Sequence, residues 1–447
     1  MNPVLPIDQQ YLDRKYPVSR LLAPQGGVLG GVSRLSGDDS SPDFEMANSN
    51  LGNLTPVFAH VRSATGEDAS REAIGGSGAD VDVEWAWLRA VMEGAERYAC
   101  MAYSENEFIV ASANELGSKA LDLDRIPRCS PREYADPKCP FAAPDKSKPI
   151  RWVRGWSLTG RCERLVPAVM THLYFQPAPE ENFWQMISTG VAAHTSMEAA
   201  LVSAINEVIE RDAIAITWLA KLQLPRIVLP AAIPPALAPN LERLRRGFVQ
   251  HHAFDATTDM GVPCVYAVQT LEGHPYLAQY VNCATEFDAA RAYAKTIREA
   301  APARTVFDEG YQHPADIMDF AALEDGAAYL ATPDKRGEFD FLLNTPNQRA
   351  LGDIGLPAPQ GDEARLRVLL QRLAALDTDV VAVDLTTRDL REAGVWVVRV
   401  VIPGLMPMTS TQRGRFLGHP RLYDYPKAAG FGALSESDIN PAPQPFA

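Results

Sequence analysis

Glu207, Glu210 and Arg211 stand in the segment INEVIERDAI, and Glu93, Glu96 and Arg97 repeat their spacing in VMEGAERYAC. On a helix, residues three and four apart share a face, so each trio forms a stripe of two carboxylates and a guanidinium. One reading is a solvated Glu–Arg pair, worth about 0.3–0.5 kcal/mol. The surroundings argue against it. Between Ser188 and Ala220 the only Lys or Arg is Arg211, and the stripe runs on through Ser196, Ala200, Ser203, Ile214 and Trp218. Such a face lies against other structure or lines a cavity, where paired carboxylates are costly unless cations neutralise them. Four carboxylates from two helices suit Mg²⁺, which prefers oxygen ligands and takes substrate phosphates as co-ligands. Arg97 and Arg211 would then pair phosphate oxygens or orient the acids. A di-iron bundle needs Glu-x-x-His, whereas both segments read Glu-x-x-Glu. Neither a P-loop nor a kinase catalytic set is present.

The elements that must carry these residues follow from periodicity. A first helix is expected from near Asp82 through Tyr103, after a glycine turn at AIGGSGAD, and a second from Ser196 to Leu222. A third is expected over about Asp288 to Val306, and an amphipathic one at EARLRVLLQRLAAL. IRWVRGWSL and RLVPAVMTHLYF read as strands across a turn, CVYAVQTL and YLAQYVNCA as a hairpin, and DVVAVDLTT and VWVVRVVIPGL as buried strands. Residues 125–150 read as an irregular excursion, and residues 310–360 as polar and loop-rich. Helices and strands mix without regular alternation, so the expected class is α+β, and the repeated acidic helix hints at internal duplication.

The chain has 447 residues and a net charge of −14. That balance disfavours nucleic acid and anionic membrane as partners. No run of about 18 apolar residues is present, so no membrane span is expected, and the opening MNPVLPIDQQ lacks the features of a signal peptide. Six cysteines (Cys100, Cys129, Cys139, Cys162, Cys264 and Cys283) show no Cys-x-x-Cys spacing and read as free thiols of a cytoplasmic protein.

RAVMEGAERYA, STGVAAHTSMEAALVSAINEVIERDAIAITW, KTIREAAPARTVF and VDLTTRDLREAGVWVVRVVIPGL together resemble the YcaO family across nearly the whole chain. The resemblance implies a YcaO-like fold with mixed sheets, a site for ATP and Mg²⁺, and activation of a peptide amide oxygen by phosphorylation. It implies metal ligands at Glu93, Glu96, Glu207 and Glu210. The implied nucleotide contacts are these acids with Arg97, Arg211, Ser33, Lys295, Glu299 and Arg304. Three positions depart from the family pattern: Ser77 stands where a lysine is common, Pro302 replaces the usual glutamine, and Ala199 replaces a carboxylate. Residues 1–80 are expected to form the N-terminal part of the YcaO-like domain, 81–435 its ATP-binding core, and 436–447 a proline-rich tail.

The last eight residues, NPAPQPFA, set Pro441, Pro443 and Pro445 at alternate positions. In this family that ending resembles the azoline-forming cyclodehydratases, which turn Cys, Ser or Thr of a ribosomal precursor peptide into thiazoline or oxazoline rings. The tail would carry the Ala447 carboxylate into the pocket to assist proton transfer, or be a ligand for a proline-reading domain. His194 is a second proton-transfer candidate, with a packing or capping role as the plainer reading. Since no leader-binding domain is evident, the implied partners are the precursor peptide, an E1-like leader-binding protein and an FMN-dependent azoline dehydrogenase. Thioamide or macroamidine formation, or a non-catalytic scaffold, are the alternatives.

Overall fold

The computed structural model describes residues 9–22, 27–35, 41–52, 54, 57, 58, 60, 61, 75–307, 309–355 and 357–446. The glycine-rich segment expected as a turn is a strand. β1 (Gly31–Leu35), β2 (Glu45–Asn50) and β3 (Gly75–Asp80) pair antiparallel in that order. β3 lies directly on helix α1 (Val83–Met101). A Cβ at Gly76 would stand 2.4 Å from Gly94 N, and one at Gly78 would stand 2.2 Å from Ala86 O. Only glycine permits that approach. The Ser49 hydroxyl bridges strand and helix, donating to Ala90 O at 2.6 Å and accepting from Gly76 N at 3.0 Å.

The second sheet gathers β4 (Ile109–Ser112), β5 (Pro149–Ser157), β6 (Cys162–Pro167) and β7 (Val191–His194) with the late strands β13 (Val381–Asp384) and β14 (Trp396–Val401). Its order is β4-β5-β13-β14-β7, with β6 paired to β5. The third sheet has the order β11-β10-β9-β8-β12, from β8 (Arg226–Val228), β9 (Gln250–Asp255), β10 (Cys264–Thr270), β11 (Gln279–Thr285) and β12 (Gln348–Ala350). Helix α2 (Met197–Leu219) packs against β14, β7 and β11 and so spans the second and third sheets. Most of it is buried, which explains its sparse charge.

Two expectations need correction. The third helix is broken into α3 (Ala289–Arg298) and α4 (Ala300–Phe307). Pro302 has no N–H to donate, and its ring crowds the carbonyl of Arg298, so the helix cannot run through. The stretch 310–360 is less irregular than its composition suggests, because LEDGAAYLA forms helix α5 (Leu323–Ala331). α6 (Asp362–Ala375) and α7 (Arg421–Ala428) complete the longer elements. The class is α+β as expected. Among the described residues no helix is long and apolar enough to cross a membrane.

Candidate functional site

The acidic helices start alike. Asp82 caps α1 through its carboxylate and Ser196 caps α2 through its hydroxyl. Glu93, Glu96 and Arg97 follow Asp82 by 11, 14 and 15 residues, and Glu207, Glu210 and Arg211 follow Ser196 by the same 11, 14 and 15. Asp288 caps α3 in the same manner, and Glu299 follows it by 11, with Pro302 where the second acid would fall. Identical offsets from the cap put these carboxylates at the same height and on the same side of their helices.

Each of the four acids accepts a backbone amide. Ser77 N–H donates to Glu93 Oε2 at 2.8 Å, and Ala193 N–H to Glu96 Oε1 at 2.8 Å. Gly190 N–H donates to Glu207 Oε2 at 3.0 Å, and Thr285 N–H to Glu210 Oε2 at 2.8 Å. The donors belong to β3, to β7 and the residue before it, and to β11, and each of these strands is the edge of its sheet. An edge strand presents unpaired N–H groups that must find partners. Here the carboxylates satisfy them, so three sheet edges converge on two acidic helices.

Cations thread between the acids. Arg97 Nη2 lies 3.0 Å from Glu93 Oε1, and Arg211 reaches Glu207 Oε1 at 3.2 Å and Glu210 Oε1 at 3.4 Å. Lys295 Nζ lies 3.8 Å from Glu210 Oε2 and 3.9 Å from Glu299 Oε2. Burial opposes the charge on Arg97, Arg211 and Lys295, but the neighbouring carboxylates outweigh it and hold all three above their usual range. Burial pushes Glu96 up to about 8 despite the Ala193 amide, with the charges of Glu93 and Glu207 adding to the rise. Glu210 is raised by burial too, against the pull of Lys295 and Arg211. Arg399, the one charge in the apolar strand WVVRVV, lies buried beside Glu207 and donates to Ile187 O at 2.8 Å. Its place inside an apolar strand was the signal for it, since a buried charge needs a partner.

Among the described residues no three acidic, imidazole or thiol side chains gather closely enough to hold an ion by themselves. Arg211 bridges Glu207 and Glu210, whereas Arg97 pairs with Glu93 and leaves Glu96 on the Ala193 amide. That suits Mg²⁺ carried on a nucleotide, because the ion usually takes one or two carboxylates and fills its octahedron with phosphate oxygens and water. Burial and then the charges of Glu93 and Glu207 raise the Glu96 carboxyl, and a cation bound beside it would favour the ionised form. The oxygen donors therefore fit the group.

The other expected residues lie around this centre. Ser33 of β1 is in register with Asn48, which is in register with Ser77, so it stands on the opposite edge of the first sheet, two strands from Ser77. Arg304 of α4 is buried beside Tyr280 of β11. His194 is exposed, and its Nδ1 accepts from Thr195 N–H at 2.9 Å, a local capping role. Pro441 is exposed, but Pro443, Pro445 and Phe446 are buried. Asn440 ties this segment to the end of α2, donating through Nδ2 to Trp218 O at 3.1 Å and through its amide to Leu219 O at 2.8 Å. Phe446 meets the Tyr266 ring edge-on, with centroids 5.3 Å apart. Tyr266 is in register with Cys283, two residues before the Thr285 that holds Glu210. The segment thus runs along α2 toward the second acid pair. Ala447 lies outside the described residues.

Known proteins resemble this chain in sequence and in fold. An uncharacterised protein of Methanothermobacter thermautotrophicus is 27% identical over 360 residues, covering 78% of this chain and 85% of that protein. A heterocyclase solved in complex with substrate and cofactor superposes with a TM-score of 0.79 at 22% identity, over 98% of this chain and 57% of its own. The chain therefore spans little more than half the length of that heterocyclase. YcaO from Methanopyrus kandleri, solved with AMPPCP and Mg²⁺, superposes with a TM-score of 0.61 at 18% identity, covering 89% of this chain and 90% of that one. At these identities the two structures establish the fold. The profile described as YcaO cyclodehydratase, ATP- and Mg²⁺-binding, matches residues 76–406. That span runs from the glycine strand of β3 to Met406 beyond β14 and contains all four amide-bound acids, so the chain belongs to the YcaO family, whose cofactors are ATP and Mg²⁺.

Proposed function

We propose that this protein is an ATP-dependent, azoline-forming cyclodehydratase acting on a ribosomally synthesised precursor peptide. The sulfur or oxygen of a Cys, Ser or Thr attacks the preceding carbonyl carbon and gives a hemiorthoamide. Its oxygen accepts the γ-phosphoryl group of ATP and departs as phosphate, while the amide nitrogen loses its proton to form the ring double bond. The peptide loses one water for each ring. Bound Mg²⁺ supplies charge neutralisation at the phosphate oxygens. Glu93, Glu96, Glu207 and Glu210 would supply its carboxylate ligands, one or two to an ion, with phosphate oxygens and water completing the shell. Arg97, Arg211 and Lys295 pair phosphate oxygens or orient the acids, and Ser33, Glu299 and Arg304 are the outer nucleotide contacts. In this reading Pro441, Pro443 and Pro445 stiffen the segment that leads toward the Glu210 pair, and the proton acceptor is the Ala447 carboxylate.

The observation that carries the azoline reading is the seat of the proline-rich segment. Pro443, Pro445 and Phe446 are buried along α2, and Phe446 ends against Tyr266, near the Glu210 pair. A segment that only served an outside proline reader would gain nothing from that burial. The partners proposed with this reading are the precursor peptide, an E1-like protein that grips its leader and an FMN-dependent dehydrogenase that oxidises azolines. The free thiols support a reducing cytoplasm as the setting.

The test is a reconstitution of the protein with ATP, Mg²⁺, a Cys/Ser/Thr-containing precursor and an E1-like partner. The expected result is a peptide lighter by whole waters, with one phosphate released per ring. A heavier peptide would indicate thioamide formation instead, and absence of ATP turnover would indicate a scaffold. Either result overturns the azoline assignment.

A further inference from the structure

We propose that Gly326 is a positioning residue for the proline-rich segment, setting how deeply that segment enters the site; this rests on the part given to the segment under Proposed function. Gly326 lies inside α5, flanked by Asp325 and Ala327. Glycine is unfavourable in a helix interior, and alanine would serve the helix better. The reason for glycine lies across the helix. A Cβ at position 326 would stand 2.0 Å from the backbone oxygen of Gln444 and 3.1 Å from its carbonyl carbon. The segment's main chain therefore rests on the bare Cα, at the residue that precedes the buried Pro445 and Phe446.

α5 cannot give way to relieve such a contact, because both of its ends are fastened. At the start, the Asp325 carboxylate accepts from Ala321 N–H and Ala322 N–H, both at 2.9 Å, and the Ser410 hydroxyl donates to Ala321 O at 2.6 Å. At the end, the Gln279 amide donates to Leu330 O and Thr332 O, both at 2.6 Å, and ties the helix to edge strand β11. On the other side the segment is anchored upstream at Asn440, and past that residue fewer groups hold its main chain. Gln412 Nε2 donates to Pro441 O at 2.6 Å, and Trp218 Nε1 donates to Ala442 O at 3.4 Å. A methyl group on Gly326 would therefore lift the segment rather than bend the helix, and Phe446 would leave Tyr266.

The experiment compares Gly326→Ala with wild type, with the chain truncated after Gln444 and with the variant carrying both changes. Hydrogen exchange of the peptide spanning residues 436–446 reports seating without reference to activity. Ring formation is measured in the reconstituted complex, and affinity for Mg²⁺ with a non-hydrolysable ATP analogue by calorimetry. Expected for Gly326→Ala are lost protection in that peptide, unchanged nucleotide affinity, a melting temperature no lower than that of the truncated chain and ring formation lower by about tenfold or more. In the truncated chain the same substitution should cause no further loss. Gln412→Met, which loosens the segment from the other side, should move exchange and ring formation the same way, so a poorly folding Gly326→Ala would not end the test. Gly337→Ala, where a Cβ meets nothing within 4 Å, serves as control. Wild-type protection in both variants overturns the seat. Lost protection with undiminished ring formation overturns the segment's part in catalysis, and with it the role given to Gly326. Equal damage from Gly326→Ala in intact and truncated chains assigns the glycine to packing alone.

Discussion

Gly76→Ala should weaken nucleotide binding through a strand that carries none of the four acids. A methyl group there would stand 2.4 Å from Gly94 N, 2.6 Å from Ala90 O and 2.6 Å from Glu93 Cβ. Ordinary contact begins near 3.4 Å, so β3 and α1 must separate by 3.4 − 2.4 = 1.0 Å. The Ser77 amide, now 2.8 Å from Glu93 Oε2, would then open to about 3.8 Å, beyond useful hydrogen-bond range. A hydrogen bond to a charged group is worth about 1.5–3 kcal/mol. At about 1.4 kcal/mol per decade, affinity for Mg²⁺ with a non-hydrolysable ATP analogue should fall roughly 10- to 100-fold. Overpacking adds a stability cost of about 1–3 kcal/mol, read from chemical denaturation of the same samples. Titration calorimetry gives the affinity. A folded Gly76→Ala protein that binds the analogue as tightly as wild type would show that the strand does not hold Glu93 in its working position.

Glu207→Gln keeps the shape and the Gly190 amide contact but removes a charge, so it should abolish ATP-dependent turnover with little change in the denaturation midpoint; retained turnover would remove Glu207 from the metal set. The buried imidazoles of His172 and His419 are pulled down to about 4, chiefly by burial. Their folded values lie below the unfolded value of about 6.5, so their stabilising effect is complete above that pH and is lost as the pH falls toward about 4, by up to about 1.4 kcal/mol per unit for each histidine. Denaturation midpoints between pH 7 and pH 4 should show this slope, and His419→Gln should flatten it; an unchanged slope in that variant would exclude His419.

The parts of the site written locally were legible. Glu93, Glu96 and Arg97 announce themselves within one helical turn, as do Glu207, Glu210 and Arg211, and cap and periodicity place both helices to within a few residues. Pro302 carried its own warning, since a proline in that position must break the helix that the surrounding pattern invites. What composition could not show is pairing over distance. Glu96 meets an amide 97 residues away and Glu210 one 75 residues away. Nothing near Ala193 or Thr285 marks it as a donor, because the donor is backbone and becomes available only when its strand ends a sheet. The glycines of β3 were read as a turn for a similar reason. Glycine signals a close approach or an unusual dihedral alike, and only the opposing helix decides which.

The amide contacts also interlock. α1 takes one amide from the strand leading into itself and one from β7, the strand leading into α2; α2 takes one from just before β7 and one from β11, the strand leading into α3. Each unit is thus latched by the next along the chain. The carboxylates reach their working positions only after all three units have docked, so a partly folded chain has no competent site. A ligand that binds only the closed arrangement stabilises every latch at once, and saturating nucleotide should raise the stability of the whole assembly rather than of one helix. The same linkage runs in reverse: a lesion at any of the three sheet edges, however far along the chain, will be felt as weakened nucleotide affinity.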